Sequence, residues 1–267
     1  WATNYSITLT NVQMADAGPY DVVVTDAVGA SVTSDIDELE VNPMFIMITG
    51  SPVTTNNIGT WQAAWFDYDN DGYVDLLNGE DHPGRTARDA SLYQNNGDGM
   101  FRKMTASEVG SLVSAPMASL GGCVWGDFDN DGDPDVWDNA RANGGLHWND
   151  GTGRFTQLNV GSLPSGFAGV TGLADYDNDG VLDLTMLGGD PLDLTTVRIQ
   201  LHHNLGGTNF EEVAISAGIA RFSANPPWTG GWGDYDNDGW QDLLCRPLWS
   251  PAEPGVLYRN LGDGTFE

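Results

Sequence analysis

Apolar residues in this chain come in short bursts, separated by segments rich in Asp, Gly and Asn. Near the N-terminus Ile7, Leu9 and Val12 alternate with polar residues. Asp16-Ala17-Gly18-Pro19-Tyr20 follows, then Val22 and Val24, then Gly29 and a second run from Val32 to Val41. Period-two alternation bounded by Asp/Gly turns predicts three antiparallel strands over residues 1–43. From about residue 44 the pattern becomes a repeat. Gly and Trp lead each unit, as in Gly122-Cys123-Val124-Trp125-Gly126 and Gly231-Trp232-Gly233. An acidic loop comes next, then an apolar strand (Val74–Leu77, Val136–Trp137, Leu182–Leu187, Leu243–Leu244). Each unit closes with a hairpin such as Leu92-Tyr93-Gln94-Asn95-Asn96-Gly97-Asp98-Gly99-Met100-Phe101, matched at 146–155, 201–210 and 257–266. Asn, Gly and Asp between apolar flanks make a tight turn between two strands. Four short strands per unit, without helical periodicity, predict an all-β chain whose residues 44–267 form four blades of a β-propeller.

The acidic loops carry the candidate chemistry. Four nonapeptides, starting at Asp67, Asp127, Asp175 and Asp234, fit D-x-D-N-D-G-x-x-D without exception and recur at intervals of 60, 48 and 59 residues. Calcium takes six to eight oxygens, and a loop offering them from positions 1, 3 and 5 and from the carbonyl at 7 needs Gly at 6 for the sharp turn. The expected ligands are therefore Asp67, Asp69, Asp71, Tyr73 and Asp75 in the first loop and Asp127, Asp129, Asp131, Asp133 and Asp135 in the second. Asp175, Asp177, Asp179, Val181 and Asp183 serve the third, and Asp234, Asp236, Asp238, Trp240 and Asp242 the fourth. The residue at position 7 contributes its carbonyl, and the closing carboxylate is Asp at 9, where an EF-hand has Glu at 12. Magnesium is disfavoured by its octahedral demand and zinc by the all-oxygen donors. Four carboxylates around one turn repel one another, and turn formation alone needs only one or two.

Composition narrows the function. With 38 acidic and 10 basic residues the formal charge is −28, which excludes nucleic acid as a partner, since phosphate contacts need a basic surface. Asp outnumbers Glu 30 to 8, a bias that a merely solvating acidic surface does not require. Cys123 and Cys245 lie in different repeats, without ligand neighbours at metal spacing, and read as two thiols. No apolar run approaches the roughly 20 residues of a membrane helix. The chain opens on Trp1, so it reads as a piece of a longer protein.

Two resemblances follow from these residues. Asp16-Ala17-Gly18-Pro19-Tyr20 resembles the corner leading into strand F of an immunoglobulin-like domain, with Tyr20 as the tyrosine corner. Val22 stands where the disulfide cysteine of such domains would be, so residues 1–43 are expected to be the C-terminal part of a sandwich lacking that bridge. Residues 44–267, with their acidic loops, Trp-Gly leads and Gly-Asp hairpins, resemble FG-GAP/VCBS-type repeats, the calcium-binding blades of integrin α-chain propellers and many bacterial surface proteins. The second and third hairpins depart from the Leu-Tyr pattern with Leu146-His147-Trp148 and Leu201-His202-His203. Family propellers commonly have about seven blades, so four imply a truncated ring or a smaller closed one. Met44–Ile48 is expected to be an orphan outer strand that completes a blade. The resemblance implies a secreted or cell-surface, bacterial interaction or adhesion module with four structural Ca²⁺ ions. Its partner would be a glycan, a surface protein or further copies of itself. The alternatives are part of a carbohydrate-active enzyme, as a polysaccharide lyase or hydrolase accessory propeller, and a fibre or matrix subunit.

No catalytic residue is expected. His147 and His202 sit at hairpin positions suited to packing, and His82 in a solvated loop. Trp65, Trp125 and Trp232 share one blade position and are expected in the core, leaving Trp61, Trp148, Trp228 and Trp249 for exposed stacking.

Overall fold

The computed structural model describes residues 16–40, 49–55, 59–81, 88–114, 116–117, 123–138, 145–158, 160, 163, 171–188, 198–219, 227–247 and 254–267. The chain forms two compact units, Trp1–Thr49 and Gly50–Glu267. In the first unit, β1 (Gly18–Tyr20) pairs antiparallel with β4 (Asp37–Leu39), and β2 (Val23–Thr25) with β3 (Ser31–Thr33). These four short strands lie in two sheets resembling part of a sandwich domain, where three longer strands are expected. Asp26 sets the β2–β3 turn: its Oδ1 accepts from the N–H groups of Val28 and Ala30. The Tyr20 hydroxyl donates to the Asp16 carbonyl at 2.6 Å, four residues upstream, which is the bond a tyrosine corner makes. The expected strand through Ile7, Leu9 and Val12 and the orphan strand Met44–Ile48 fall outside the described residues.

The second unit is a row of four antiparallel sheets in propeller architecture. Blade 1 runs β5 (Gly59–Phe66), β6 (Asp75–Asp81), β7 (Arg88–Asn95), β8 (Phe101–Lys103), with β9 (Pro116–Met117) pairing β7 further along. Blade 2 is β10 (Cys123–Gly126), β11 (Asp135–Asp138), β12 (Gly145–Asn149) and β13 (Phe155–Leu158). Blade 3 is β14 (Thr171–Ala174), β15 (Asp183–Gly188), β16 (Arg198–Asn204) and β17 (Phe210–Glu212). In blade 4, β18 (Pro227–Gly233), β19 (Asp242–Pro247) and β20 (Val256–Tyr258) pair in order, and a single bridge, Asn260 to Phe266, stands in the outer-strand place.

Each acidic loop joins the first strand of its blade to the second, which begins on the closing Asp. The two fixed non-acidic residues of the loop have a backbone reason. Asn70, Asn130, Asn178 and Asn237 have φ of 54–60°, and Gly72, Gly132, Gly180 and Gly239 have φ of 89–95°. The loop thus turns through two left-handed residues. Asn tolerates that region better than most side chains, and Gly enters it without steric penalty.

The apolar residues pack between blades. One core joins Phe66, Tyr68, Leu77 and Leu92 of blade 1 to Val136 and Phe155 of blade 2. A second joins Phe128, Trp137 and Leu146 to Leu184, Met186 and Phe210. The third joins Tyr176, Leu187 and Leu201 to Leu243, Tyr258 and Phe266. Sheets packed face to face bury the inward residue of each strand, so every interior blade contributes both its faces.

Candidate metal loops

The four nonapeptides fold into one hydrogen-bonded shape. The first Asp accepts twice: Asp67 Oδ1 from the Asp71 N–H at 3.0 Å and Oδ2 from the Gly72 N–H at 2.8 Å. The same pair recurs at Asp127, Asp175 and Asp234. The fifth residue accepts from the N–H of the seventh, as in Tyr73 to Asp71 at 2.8 Å; Asp133, Val181 and Trp240 donate alike. The closing Asp is buried and bound on both oxygens. Asp135 Oδ2 accepts from the Phe128 N–H at 3.2 Å, and Oδ1 from the Asn149 N–H at 2.8 Å. Asp75, Asp183 and Asp242 repeat this. That residue therefore ties its loop to its own hairpin.

These bonds bring carboxylate oxygens together. Asp67, Asp69 and Asp71 place one oxygen each within 4.8 Å of the others, and so do Asp127, Asp129 and Asp135. Asp175, Asp177 and Asp183 do the same in the third loop, and Asp234, Asp236 and Asp242 in the fourth. A further group, Asp177, Asp179 and His203, adds an imidazole nitrogen. These clusters are capable of coordinating a metal ion. The electrostatics agree, because burial first and neighbouring carboxylates second push the third residue up from its ordinary range in Asp69, Asp129 (to about 6) and Asp177. Burial likewise raises Asp75 and Asp183 to about 6 and Asp135 to about 7, against the lowering effect of their two N–H donors. Asp69 Oδ1 is screened from solvent and has no hydrogen-bond partner among the described residues. A buried carboxylate oxygen left bare is unfavourable in a low-dielectric site and fits a cation.

Two roles escape a reading by composition and spacing. The Asn of each hairpin, read there as turn chemistry, also crosses between blades. The Asn149 amide donates to the Tyr68 carbonyl at 2.8 Å, Asn204 to Phe128 at 2.9 Å and Asn260 to Tyr176 at 2.7 Å. The fourth residue of the loop crosses the other way, from Asn70 to Gly132, Asn130 to Gly180 and Asn178 to Gly239. The loops thus form a connected line along one edge of the row. Their only advance signal was invariance in four copies.

Several side chains depart from expectation. Trp65 is exposed at 57%: its ring centroid lies 6.0 Å from that of Phe101 of its own blade, and among the described residues of the second unit no other blade covers it. Trp125, at the same position, packs edge-on against Phe66 of blade 1. Trp148, expected free, is partly buried against the core shared by blades 2 and 3. Trp61, Trp228, Trp249 and His82 lie outside the described side chains. His147 and His202 are buried, and burial lowers both to about 4. Ser111 shares a 2.9 Å hydrogen bond with His147 Nδ1, while among the described residues neither nitrogen of His202 has a partner. The cysteines remain thiols.

The model of the FG-GAP-like repeat matches residues 67–137, which hold the first two loops. No curated protein matches the chain. Among solved structures, the chain is similar to an Agrocybe aegerita lectin described for specific recognition of non-reducing terminal N-acetylglucosamine. Identity is 16%, the TM-score is 0.47, and the match covers 77% of this chain and 50% of the lectin. A chain of the Photorhabdus luminescens Tc holotoxin pore is similar at 16% identity and TM-score 0.40, over 93% of this chain and 13% of its own length. The chain therefore spans half or less of the length of these two structures. No helix among the described residues is long and apolar enough to cross a membrane.

Proposed function

We propose that this chain is a calcium-stabilised extracellular or cell-surface interaction module of bacterial origin, in which FG-GAP/VCBS-type blades follow part of an immunoglobulin-like domain. The observation that carries the reading is one hydrogen-bonded loop shape built four times, each copy gathering three carboxylates (positions 1, 3 and 5 in the first, 1, 3 and 9 in the others), with Asp69 Oδ1 buried and, among the described residues, unpartnered. In each loop the Asp residues at positions 1, 3, 5 and 9 and the carbonyl at 7 hold a Ca²⁺ ion. Bound calcium supplies the positive charge that offsets the repulsion among them. The first Asp shapes the turn through the N–H groups of residues 5 and 6. The closing Asp joins it to the hairpin, and the Asn amides pass that order to the next blade. Calcium here is architectural, and a glycan or surface protein binds through the irregular segments between strands. The exposure of Trp65 in blade 1 and of Tyr235 and Leu257 in blade 4 supports the reading, implied by the family resemblance, of these four blades as part of a larger ring of about seven.

Thermal unfolding with and without a chelator at pH 7.5 tests the metal. Extracellular modules bind calcium at about 10⁻⁴ to 10⁻³ M, and tenfold excess over Kd stabilises by about 1.4 kcal/mol per site. Four sites should raise Tm by roughly 10–20 °C; an unchanged midpoint sinks the reading. A glycan array in calcium buffer tests the partner, and silence there with capture of a surface protein would replace the glycan.

A further inference from the structure

The residue just before the hairpin Asn differs in every blade: Gln94, Trp148, His203 and Arg259. Three of these side chains reach the Asp at the third position of their own loop. Gln94 Nε2 donates to Asp69 Oδ2 at 2.7 Å. His203 Nδ1 lies 3.3 Å from Asp177 Oδ2 and 3.1 Å from Asp183 Oδ1. Arg259 donates from Nε to Asp236 Oδ2 at 2.9 Å and from Nη2 to Asp238 Oδ2 at 3.4 Å. Its Nη1 lies 3.7 Å from Glu267 Oε1.

We propose that Arg259 is a built-in counter-cation of the fourth loop and makes it the weakest of the four calcium sites. The inference rests on reading the loops as calcium sites and adds a rank order to it. A guanidinium stays charged at every pH the protein meets. Its fork occupies oxygens of Asp236 and Asp238, the third and fifth residues of the loop. To bind there, a divalent cation must draw both carboxylates away from Arg259 and then sit beside a positive charge.

Blade 1 shows the contrast. There Gln94 contributes a neutral amide, and the nearby Arg102 is one step removed. Arg102 donates from Nη2 to Gln94 Oε1 at 2.8 Å and is paired with Glu108. The first loop therefore presents its carboxylates without a guanidinium on them, and Asp69 Oδ1 is left bare. Arg259 is 42% exposed, so solvent screens its effect. The affinity difference expected is on the order of tenfold.

Calcium titration by isothermal calorimetry of the metal-free chain, at fixed ionic strength, tests this. The native chain should show a weak site, about tenfold below the rest, that disappears in Asp236→Asn. Arg259→Gln should bring that site up among the others, and Arg259→Lys, which keeps the charge, should leave it weak. Circular dichroism checks that each variant folds; the backbone bonds between Arg259 and Glu267 do not use the substituted side chain. An unchanged weak site in Arg259→Gln, equal strengthening by Lys and Gln, or loss of a tight site in Asp236→Asn would each overturn the proposal. Absence of calcium heat in the native chain is a different result, because it removes the loop reading itself.

Discussion

Tyr176 and Tyr235 hold the same place in consecutive repeats, the second residue of the acidic loop, and their surroundings differ. Tyr176 is 5% exposed, beside Phe266 of the next blade, and its carbonyl accepts from Asn260. Tyr235 is 54% exposed. The hairpin leucines repeat the contrast, with Leu201 at 0% and Leu257 at 44%. At the other end of the row, Asn149 bonds across to blade 1, whereas the Asn95 amide bonds the Val74 carbonyl of its own blade. Burial here belongs to a pair of neighbouring blades. One blade supplies an aromatic floor and a carbonyl; the next supplies a Phe and an Asn amide.

That contrast can be broken most directly in the aromatics. Phe128→Ala, at a closed junction and fully buried, should destabilise by about 3–5 kcal/mol. Tyr235→Ala at the open face should stay within about 0.5 kcal/mol. Urea midpoints measure both, and equal losses would mean that the fourth blade's face is covered in solution.

Next in size is pH. In the metal-free chain the buried closing carboxylates have raised folded values, about 7 for Asp135 and about 6 for Asp75 and Asp183. A raised carboxylate means that the folded state holds more protons than the unfolded one between pH ~4 and ~7. Stability should therefore fall as pH rises through that window. Bound calcium needs the ionised forms, so its stabilising effect should grow over the same range. Chemical denaturation at pH 4.5, 5.5 and 7, with metal-free and calcium-loaded protein, reads both trends.

The smallest effect separates equivalent amides. Asn204→Ala removes its donated bonds to the Phe128 and Leu182 carbonyls and the bond it accepts from the Gly206 N–H, whereas Asn95→Ala removes the counterparts to Val74 and from Gly97, both within its own blade. The first should cost about 1 kcal/mol more, one cross-blade hydrogen bond. Equal midpoints for the two variants would show that the cross-blade bond contributes nothing.

Much of this was legible in the residues. The acidic nonapeptides mark where each first strand ends, and the Gly-Asp hairpins mark the turn into the outer strand. Both signals are local, because left-handed Asn and Gly and self-capping Asp act within a few residues. The tryptophans were harder. Trp65, Trp125 and Trp232 share a repeat position, yet Trp65 is 57% exposed beside Phe101 of its own blade, while Trp232 donates to Thr185 of blade 3. Nothing near Trp65 in sequence encodes that, since the contact partner would come from another blade. The motif, identical at its fixed positions in all four loops, does not distinguish them for a similar reason. Gln94, His203 and Arg259 stand about twenty-five residues from the carboxylates they reach, outside the window of the motif.

By itself, then, the sequence determined the all-β class, the number of blades in this chain and the carboxylate clusters, because each follows from short-range backbone chemistry repeated four times. Only the tertiary structure decided which repeat faces are buried, which Asn amides tie blade to blade and which acidic loop already holds a cation of its own. Those outcomes depend on what another strand or blade brings within hydrogen-bonding distance, and local pattern carries no record of it.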